Sequence, residues 1–281
     1  MERVTIQGIG GCFHDMAARG YFAGESVETI PCKSFSELFD TMAADRSLTG
    51  VAAIENTIAG SLLHNHELLR GSGLRVVGEY KLRISHVLAA LPGQSIDDIE
   101  EVNSHPIALM QCARFLGEHP RMKVVETDDT AGSAFEIARG ALRGHAAICG
   151  SLAAETYGLE ILERGIETDR HNFTRFLVLA DVSRAAEFAR RGRIDKASMV
   201  FSLPHTQGSL SKVLAILSFY DLNLTKIQSL PIVGREWEYL FYVDVTFDDA
   251  ERYRRGVDAV RPLTNEFKIL GEYAECSDPQ V

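Results

Sequence analysis

The densest polar signal in the chain is Asn172-Phe173-Thr174-Arg175-Phe176, where hydrogen-bonding residues and a guanidinium alternate with phenylalanine just before the apolar run Leu177-Val178-Leu179. Arginine offers a planar fork that grips a carboxylate through two bonds, and neighbouring rings that exclude water would strengthen that grip. Three more clusters place polar side chains where an apolar run ends: Glu55-Asn56-Thr57 after residues 50–54, Asn103-Ser104-His105-Pro106, and Asp128-Asp129-Thr130-Ala131. Gln111 lies two turns on from Ser104 along the same helix face. Each cluster also has a plain structural use. Asn56 and Thr57, Ser104 ahead of Pro106, and Thr130 with its acidic neighbours are all good helix starts, and for the last of these the structural use is the favoured reading.

Gly8-Ile9-Gly10-Gly11-Cys12-Phe13 reads as a turn between a strand and a helix. A dinucleotide fingerprint needs glycine where Phe13 stands, and no G-K-[ST] follows, so no nucleotide cofactor is expected. Two uses stay open: free N–H groups of the helix start could receive a carboxylate, or the glycines could simply let strand and helix pack. His64-Asn65-His66 lacks a third nearby ligand, and no metal is expected.

These clusters need elements to hold them. Strand-like and helix-like stretches alternate up to Ala180, which predicts an open α/β sheet whose ligands bind beyond the carboxyl ends of the strands. The motif loops should therefore converge on a cleft. After an Arg-rich stretch at 184–193, strands at 198–203, 223–229, 239–247 and 267–273 and helices at 209–219 and 250–263 follow the β-α-β-β-α-β order of a ferredoxin-like unit, expected as a separate domain.

Composition narrows the class. With 46% hydrophobic and 24% charged residues the chain is globular throughout. A net charge of −10, from 29 Lys plus Arg against 39 Asp plus Glu, argues against nucleic acid or an anionic membrane surface as partner. No apolar run approaches the roughly 18 residues of a membrane span, and Glu2-Arg3 leads straight into Val4-Thr5-Ile6, so a soluble cytoplasmic protein is expected. Five scattered cysteines without a C-x-x-C pair suggest reduced thiols.

In order and spacing, Gly10-Gly11-Cys12-Phe13-His14, Ala53-Ile54-Glu55-Asn56-Thr57 with Gly60, Ser104-His105-Pro106 with Gln111-Cys112, Asp129-Thr130-Ala131 and Asn172-Phe173-Thr174-Arg175-Phe176 resemble prephenate dehydratase over nearly the whole chain. The tail resembles the ACT regulatory domain through Leu203-Pro204, Gly208-Ser209-Leu210 and Asn223-Leu224-Thr225-Lys226-Ile227. The resemblance implies a two-lobed catalytic domain at 1–181, like the lobes of periplasmic binding proteins, a linker at 182–196 and an ACT domain at 197–281. It implies loss of water and CO2 from prephenate to give phenylpyruvate, with no cofactor. Thr174 matches the family's essential threonine and would donate to the departing hydroxyl. Arg175 and the helix start after Gly11 would take the carboxylates, and Asn56, Ser104 and Gln111 match further site positions. Cys12, Phe13, Thr57, Thr130 and Phe176 would complete the substrate pocket.

L-phenylalanine is implied as an effector at Gly208, Ser209, Leu210, Asn223, Leu224 and Ser229, in a homodimer or homotetramer whose pairing would use the strand at 239–247. Three departures stand out. Cys12 and His14 occupy places where Thr or Ser is frequent, Thr57 stands where Ser is commoner, and Gln228 and Leu230 replace the Glu and Arg of a Glu-Ser-Arg-Pro signature. Arogenate dehydratase, and a non-catalytic amino-acid sensor, are the competing readings.

Overall fold

In a computed structural model of the chain, which describes residues 1–232 and 234–276, the first lobe runs β1 (Glu2–Gln7), α1 (Phe13–Tyr21), β2 (Val27–Cys32), α2 (Phe35–Ala44), β3 (Thr49–Asn56), the short β4 (Gly60–Ser61), α3 (Leu63–Ser72) and β5 (Arg75–Arg83). The chain then crosses to a second lobe through residues 84–86. There it forms β6 (Val87–Ala90), β7 (Glu101–Ser104), α4 (Pro106–Gln111), α5 (Ala113–Glu118), β8 (Lys123–Glu126), α6 (Thr130–Gly140), β9 (His145–Cys149), α7 (Ser151–Thr156) and β10 (Glu160–Arg164). It returns through residues 165–172 into β11 (Phe173–Ala180), which inserts antiparallel between β3 and β5. The second lobe has its own sheet, ordered β10-β6-β9-β7-β8.

The two crossings are bonded to each other. The Glu167 carboxylate, in the second, accepts the His86 N–H (2.9 Å) and pairs with Arg83 (3.2 Å), while the Ile84 N–H reaches the Asn172 carbonyl (2.8 Å). The lobes therefore share a narrow, cross-braced hinge.

The remaining elements are α8 (Val182–Phe188), β12 (Lys196–Ser202), α9 (Ser209–Phe219), β13 (Asn223–Pro231), β14 (Tyr239–Thr246), α10 (Ala250–Val260) and β15 (Glu266–Tyr273). The sheet order β13-β14-β12-β15 is that of the expected split βαβ unit. It does not stand apart. β15 joins β5 through Gly271 beside Val76, so the sheet runs unbroken from the C-terminal unit into the first lobe, and only glycine fits this approach because a Cβ at 271 would collide with the Val76 carbonyl. The face behind it is one core: Ile54, Val76, Leu177 and Leu179 pack with Val200, Leu240, Tyr242 and Leu270.

Other departures have local causes. The helical stretch after Pro106 is two helices, α4 and α5, broken at Cys112 where φ −101° and ψ 17° leave helical geometry. The strand at 239–247, expected to pair with a second copy, is β14, already flanked by β13 and β12, and the free edge is β13. β2 and β10 are edge strands with few buried positions, and their sequences show no clean alternation. No helix among the described residues is long and apolar enough to cross a membrane.

Candidate active site

The lobes face each other across a cavity of 330 Å³. The start of α1 (Cys12, Phe13, His14), the end of β3 (Ala53, Asn56) and the start of β11 (Thr174, Phe176) form one wall. The opposite wall comes from α4 (Ile107, Ala108, Gln111) and the start of α6 (Asp128, Asp129, Thr130), with His86 at the hinge. A larger cavity of 590 Å³ lies between α8, β5 and β15, but its lining is mostly apolar, Arg75 is spent on the Ile269 carbonyl and Arg191 on Glu25. Of these two, the smaller cavity has the converging polar groups, lies at the carboxyl ends of strands, and is the candidate site.

A backbone irregularity aims its central pair. Glu55 opposes Arg175 and Ala53 opposes Phe176, so Ile54 is an extra residue in β3. The bulge lets Ala53 and Asn56, three residues apart, both face the cavity, while Ile54 enters the core behind the sheet. The Asn56 Oδ1 accepts the N–H groups of Ile58 (2.9 Å) and Ala59 (2.8 Å), which fixes its amide. Its Nδ2 then donates to Thr174 Oγ1 (2.9 Å) and Asn172 Oδ1 (2.8 Å). Thr174 therefore accepts from within the protein and keeps its own hydroxyl hydrogen for the cleft.

His14, His86, Gln111 and Cys12 are neutral donors and acceptors. His14 Nε2 accepts the Ala53 N–H (3.3 Å), which puts the ring hydrogen on Nδ1, and burial pushes its pKa down to about 3. His86 Nε2 meets Gln111 Oε1 at 2.9 Å; a carbonyl oxygen only accepts, so the histidine donates and the Gln111 NH2 is left to point elsewhere. Burial holds His86 below the usual imidazole range. Burial also raises the Cys12 thiol to about 12, and its hydrogen goes to the Gln7 carbonyl (3.5 Å). Among the described residues no Lys or Arg lines the cavity, whereas Asp128 and Asp129 do.

The prephenate dehydratase profile matches residues 4–184. The chain belongs to the prephenate dehydratase family. It is 38% identical, over 96% of its own length and 68% of the relative's, to arogenate dehydratase/prephenate dehydratase 6, chloroplastic, of Arabidopsis thaliana. Among solved structures it is similar to a prephenate dehydratase in complex with L-Phe from Arthrobacter aurescens (TM-score 0.84, 26% identity, 99% of this chain and 92% of that one). It is equally similar to GqqA, described as a novel type of quorum quenching acylase (TM-score 0.86, 28% identity, 98% and 99%).

Of the residues that the prephenate dehydratase resemblance singles out, the cavity brings together Thr174, Asn56, Gln111, Cys12, Phe13, Thr130 and Phe176. Four lie elsewhere. Arg175, expected as a carboxylate anchor, points to the opposite face of β11, because successive strand side chains alternate, and it is bound there by Glu79, Asp244 and Tyr273. Ser104 is fully buried and donates to the Ile148 carbonyl (2.6 Å). The Gly11 N–H is taken by the Asp15 carboxylate (2.8 Å), which withdraws it from any ligand. Thr57 ties the end of β3 to the second crossing through the His171 carbonyl and the Phe173 N–H, both at 3.0 Å. The caps expected at Ser104 and Thr130 are instead His105, whose Nδ1 accepts the Ile107 N–H, and Asp129, whose Oδ1 accepts the Gly132 N–H.

The expected effector residues are also divided. Gly208, with φ +77°, and Ser209 and Leu210 begin α9, whereas Asn223 and Leu224 lie beyond its far end, a helix of 11 residues away or about 16 Å, and Ser229 sits further along β13. Sequence reasoning passed over His86, His105, Asp128 and Asp129 as wall residues. His86 stands alone and carries no spacing signal, while His105 and the two aspartates lie in clusters that also fit a helix start.

Proposed function

We propose that the chain catalyses the decarboxylating dehydration of prephenate to phenylpyruvate as a carbon–oxygen lyase, and that Thr174 is the group acting at the departing hydroxyl. The observation that carries this is the Asn56-to-Thr174 bond, in which Thr174 accepts and so keeps its own hydrogen free to donate to a substrate. In the reaction the bond to the carboxylate breaks, its electron pair makes the ring aromatic, CO2 departs, and the ring oxygen leaves with one added proton as water. A threonine is far too weak an acid to be ionised. It donates a positioned hydrogen bond and passes on a proton drawn from solvent, while Phe13 and Phe176 bound the ring. Neutral donors, Gln111 and His14 among them, orient the carboxylates without the tight hold that a guanidinium would exert on the carboxylate that must leave as neutral CO2.

A second substrate is favoured by a specific feature. Asp128 and Asp129 give the wall negative charge, with no Lys or Arg among the described residues that line the cavity, which suits the ammonium that arogenate carries in place of the keto oxygen of prephenate. Acyl transfer, the activity in the description of GqqA, fits less well. Among the described residues no hydrogen bond joins Cys12 or Thr174 to a histidine, so neither has an activating base. Incubating purified protein with prephenate and with arogenate, and following phenylpyruvate and phenylalanine separately, tests the reading; no product from either substrate overturns it.

Residues 1–181 would be the catalytic unit, 182–196 the connection and 197–281 an ACT-type regulatory unit acting in the cytoplasm. L-phenylalanine is the effector this implies, as in the ligand of the Arthrobacter relative. Because Gly208 and Asn223 stand at opposite ends of α9, one protomer does not assemble the effector site alone. Antiparallel pairing of the free β13 edges of two protomers would reunite its halves, and a homodimer, or a tetramer built from it, is the assembly we favour.

A further inference from the structure

The face of β11 and β3 turned away from the cleft carries buried charges that lead into the C-terminal sheet. Arg175 donates from Nε to Glu79 (2.7 Å), from Nη1 to Asp244 and from Nη2 to the Tyr273 hydroxyl (3.0 Å). Glu79 also holds Lys196 Nζ (3.0 Å). Beside them Lys226 Nζ donates to Glu55 (2.9 Å) and Ser61 (3.1 Å), and Glu55 lies 4.0 Å from Arg175 Nη1. Lys226 and Asp244 oppose one another across β13 and β14, so a single point of the C-terminal sheet supplies both partners.

The two charges so held are chain neighbours of the two residues at the centre of the cleft: Glu55 precedes Asn56, and Arg175 follows Thr174. Those pairs also oppose each other in the register, Thr174 with Asn56 and Arg175 with Glu55. The cleft pair is thus set by its backbone, and the backbone is gripped from behind by Arg175 and Glu55. A network serving stability alone gains little from burying so much charge, since well-packed apolar side chains do as well or better. Charge fixes direction where apolar contact does not.

We propose that Asp244 and Lys226 are positioning residues for the reaction, acting through Arg175 and Glu55 to set the contact between Asn56 and Thr174. The inference rests on the reading of the cleft as a dehydratase site, and it makes the C-terminal unit part of the machinery that shapes the cleft. Lys226 is two residues from Gln228 on the free β13 edge, so whatever displaces that strand reaches Asn56 through the Lys226–Glu55 contact and one peptide bond.

The test uses the full-length protein with Asp244→Asn, Lys226→Met, Glu55→Gln and the double variant Lys226→Met/Glu55→Gln. We expect kcat to fall about tenfold in each single variant with KM changed less than about twofold, and the double variant to fall no further than either single change, as for two residues acting in series. Lys226→Arg should recover most of the rate. The backbone amide resonances of Asn56 and Thr174 in ligand-free protein should move in Asp244→Asn and in Lys226→Met. A lowered melting temperature with unchanged kcat, or resonances that stay in place, overturns the proposal. Should the Asp244 variant not fold, Lys226→Met, at the rim of the network, decides alone. Wild-type protein inactive on both substrates would remove the dehydratase reading instead, and the resonances would still decide the coupling.

Discussion

Thr174 and Arg175 are adjacent, and the sequence marks them equally, yet they do opposite things. Alternation along a strand sends the hydroxyl into the cleft and the guanidinium into the core behind, and that rule was available from the sequence once 173–180 was recognised as one strand. Thr174, Asn56 and Gln111 were legible through the prephenate dehydratase resemblance, since polar side chains at such places serve a helix start equally well. The bulge at Ile54 was not, since nothing in Ala-Ile-Glu-Asn distinguishes a bulged strand from a regular one. Two outcomes follow from the geometry. Thr174→Val keeps the branched shape and removes only the hydroxyl, so kcat should drop about a hundredfold, on the order of 3 kcal/mol, with KM little changed. Near-normal turnover in the folded variant would sink the assignment. Arg175→Lys, which a carboxylate anchor would answer with a raised KM, should leave KM near wild type and lower kcat and melting temperature together, because a point charge cannot serve Glu79, Asp244 and Tyr273 at once. Saturation kinetics and a thermal melt separate the two behaviours.

At the scale of elements, the glycine turn proves to be a contact between lobes. Gly11 has φ +84°, and a Cβ there would lie 2.7 Å from the Ala153 Cα, so the start of α1 in the first lobe packs backbone to backbone on α7 in the second. Tyr157, just past α7, donates to the Gly10 carbonyl (2.6 Å) across the same seam. Of the two uses left open for these glycines, packing is the one observed, and the Gly11 N–H itself is taken by Asp15. Gly11→Ala adds left-handed strain and a collision that only a shift of α7 can relieve, together about 2–4 kcal/mol. Since Cys12 and Phe13 line the cavity from the next two positions, kcat/KM should fall along with stability. Tyr157→Phe, which removes one hydrogen bond and no volume, should cost about 1 kcal/mol and leave kcat/KM nearly unchanged. Equal losses of activity in the two variants would mean that the lobe seam does not control the site.

For the whole molecule, the alternation of strands and helices announced an open α/β sheet and then a ferredoxin-like unit, and the resemblance added the two lobes, but neither announced that the unit would share a sheet and a core with the first lobe. That joint depends on single residues, Gly271 against Val76 and a set of apolar side chains on the back of β3, β11 and β12, none of which advertises its partner. Unfolding should therefore be one transition for the first lobe and the C-terminal unit together, without an early melt of residues after Lys196. The seam is also acid-sensitive. His66 is 4% exposed, its Nε2 has no hydrogen-bond partner among the described residues, and its ring lies 4.8 Å from that of Tyr242. Burial, with Lys226 adding to it, pushes its pKa down to about 3. An unfolded histidine titrates near 6.5, so between those values the unfolded chain binds a proton that the folded one refuses, and stability falls as pH drops, at about 1.4 kcal/mol per pH unit. His14, depressed in the same way, adds a slope of the same sign. For Asp244 and Glu79 burial works to raise the carboxyls, and Arg175 beside both more than reverses it; their lowered values preserve stability above about pH 4 and release it only below. Between pH 6.5 and 4.5 the histidines thus dominate. His66→Phe should remove about 3 kcal/mol of that acid loss, which at this size is roughly 5 °C or more of melting temperature at pH 4.5, with much less change at pH 8. Calorimetry at both values checks it. An equal shift at both, or two separated transitions in the wild type, would contradict a seam in which His66 is held neutral and the C-terminal sheet and first lobe unfold as one.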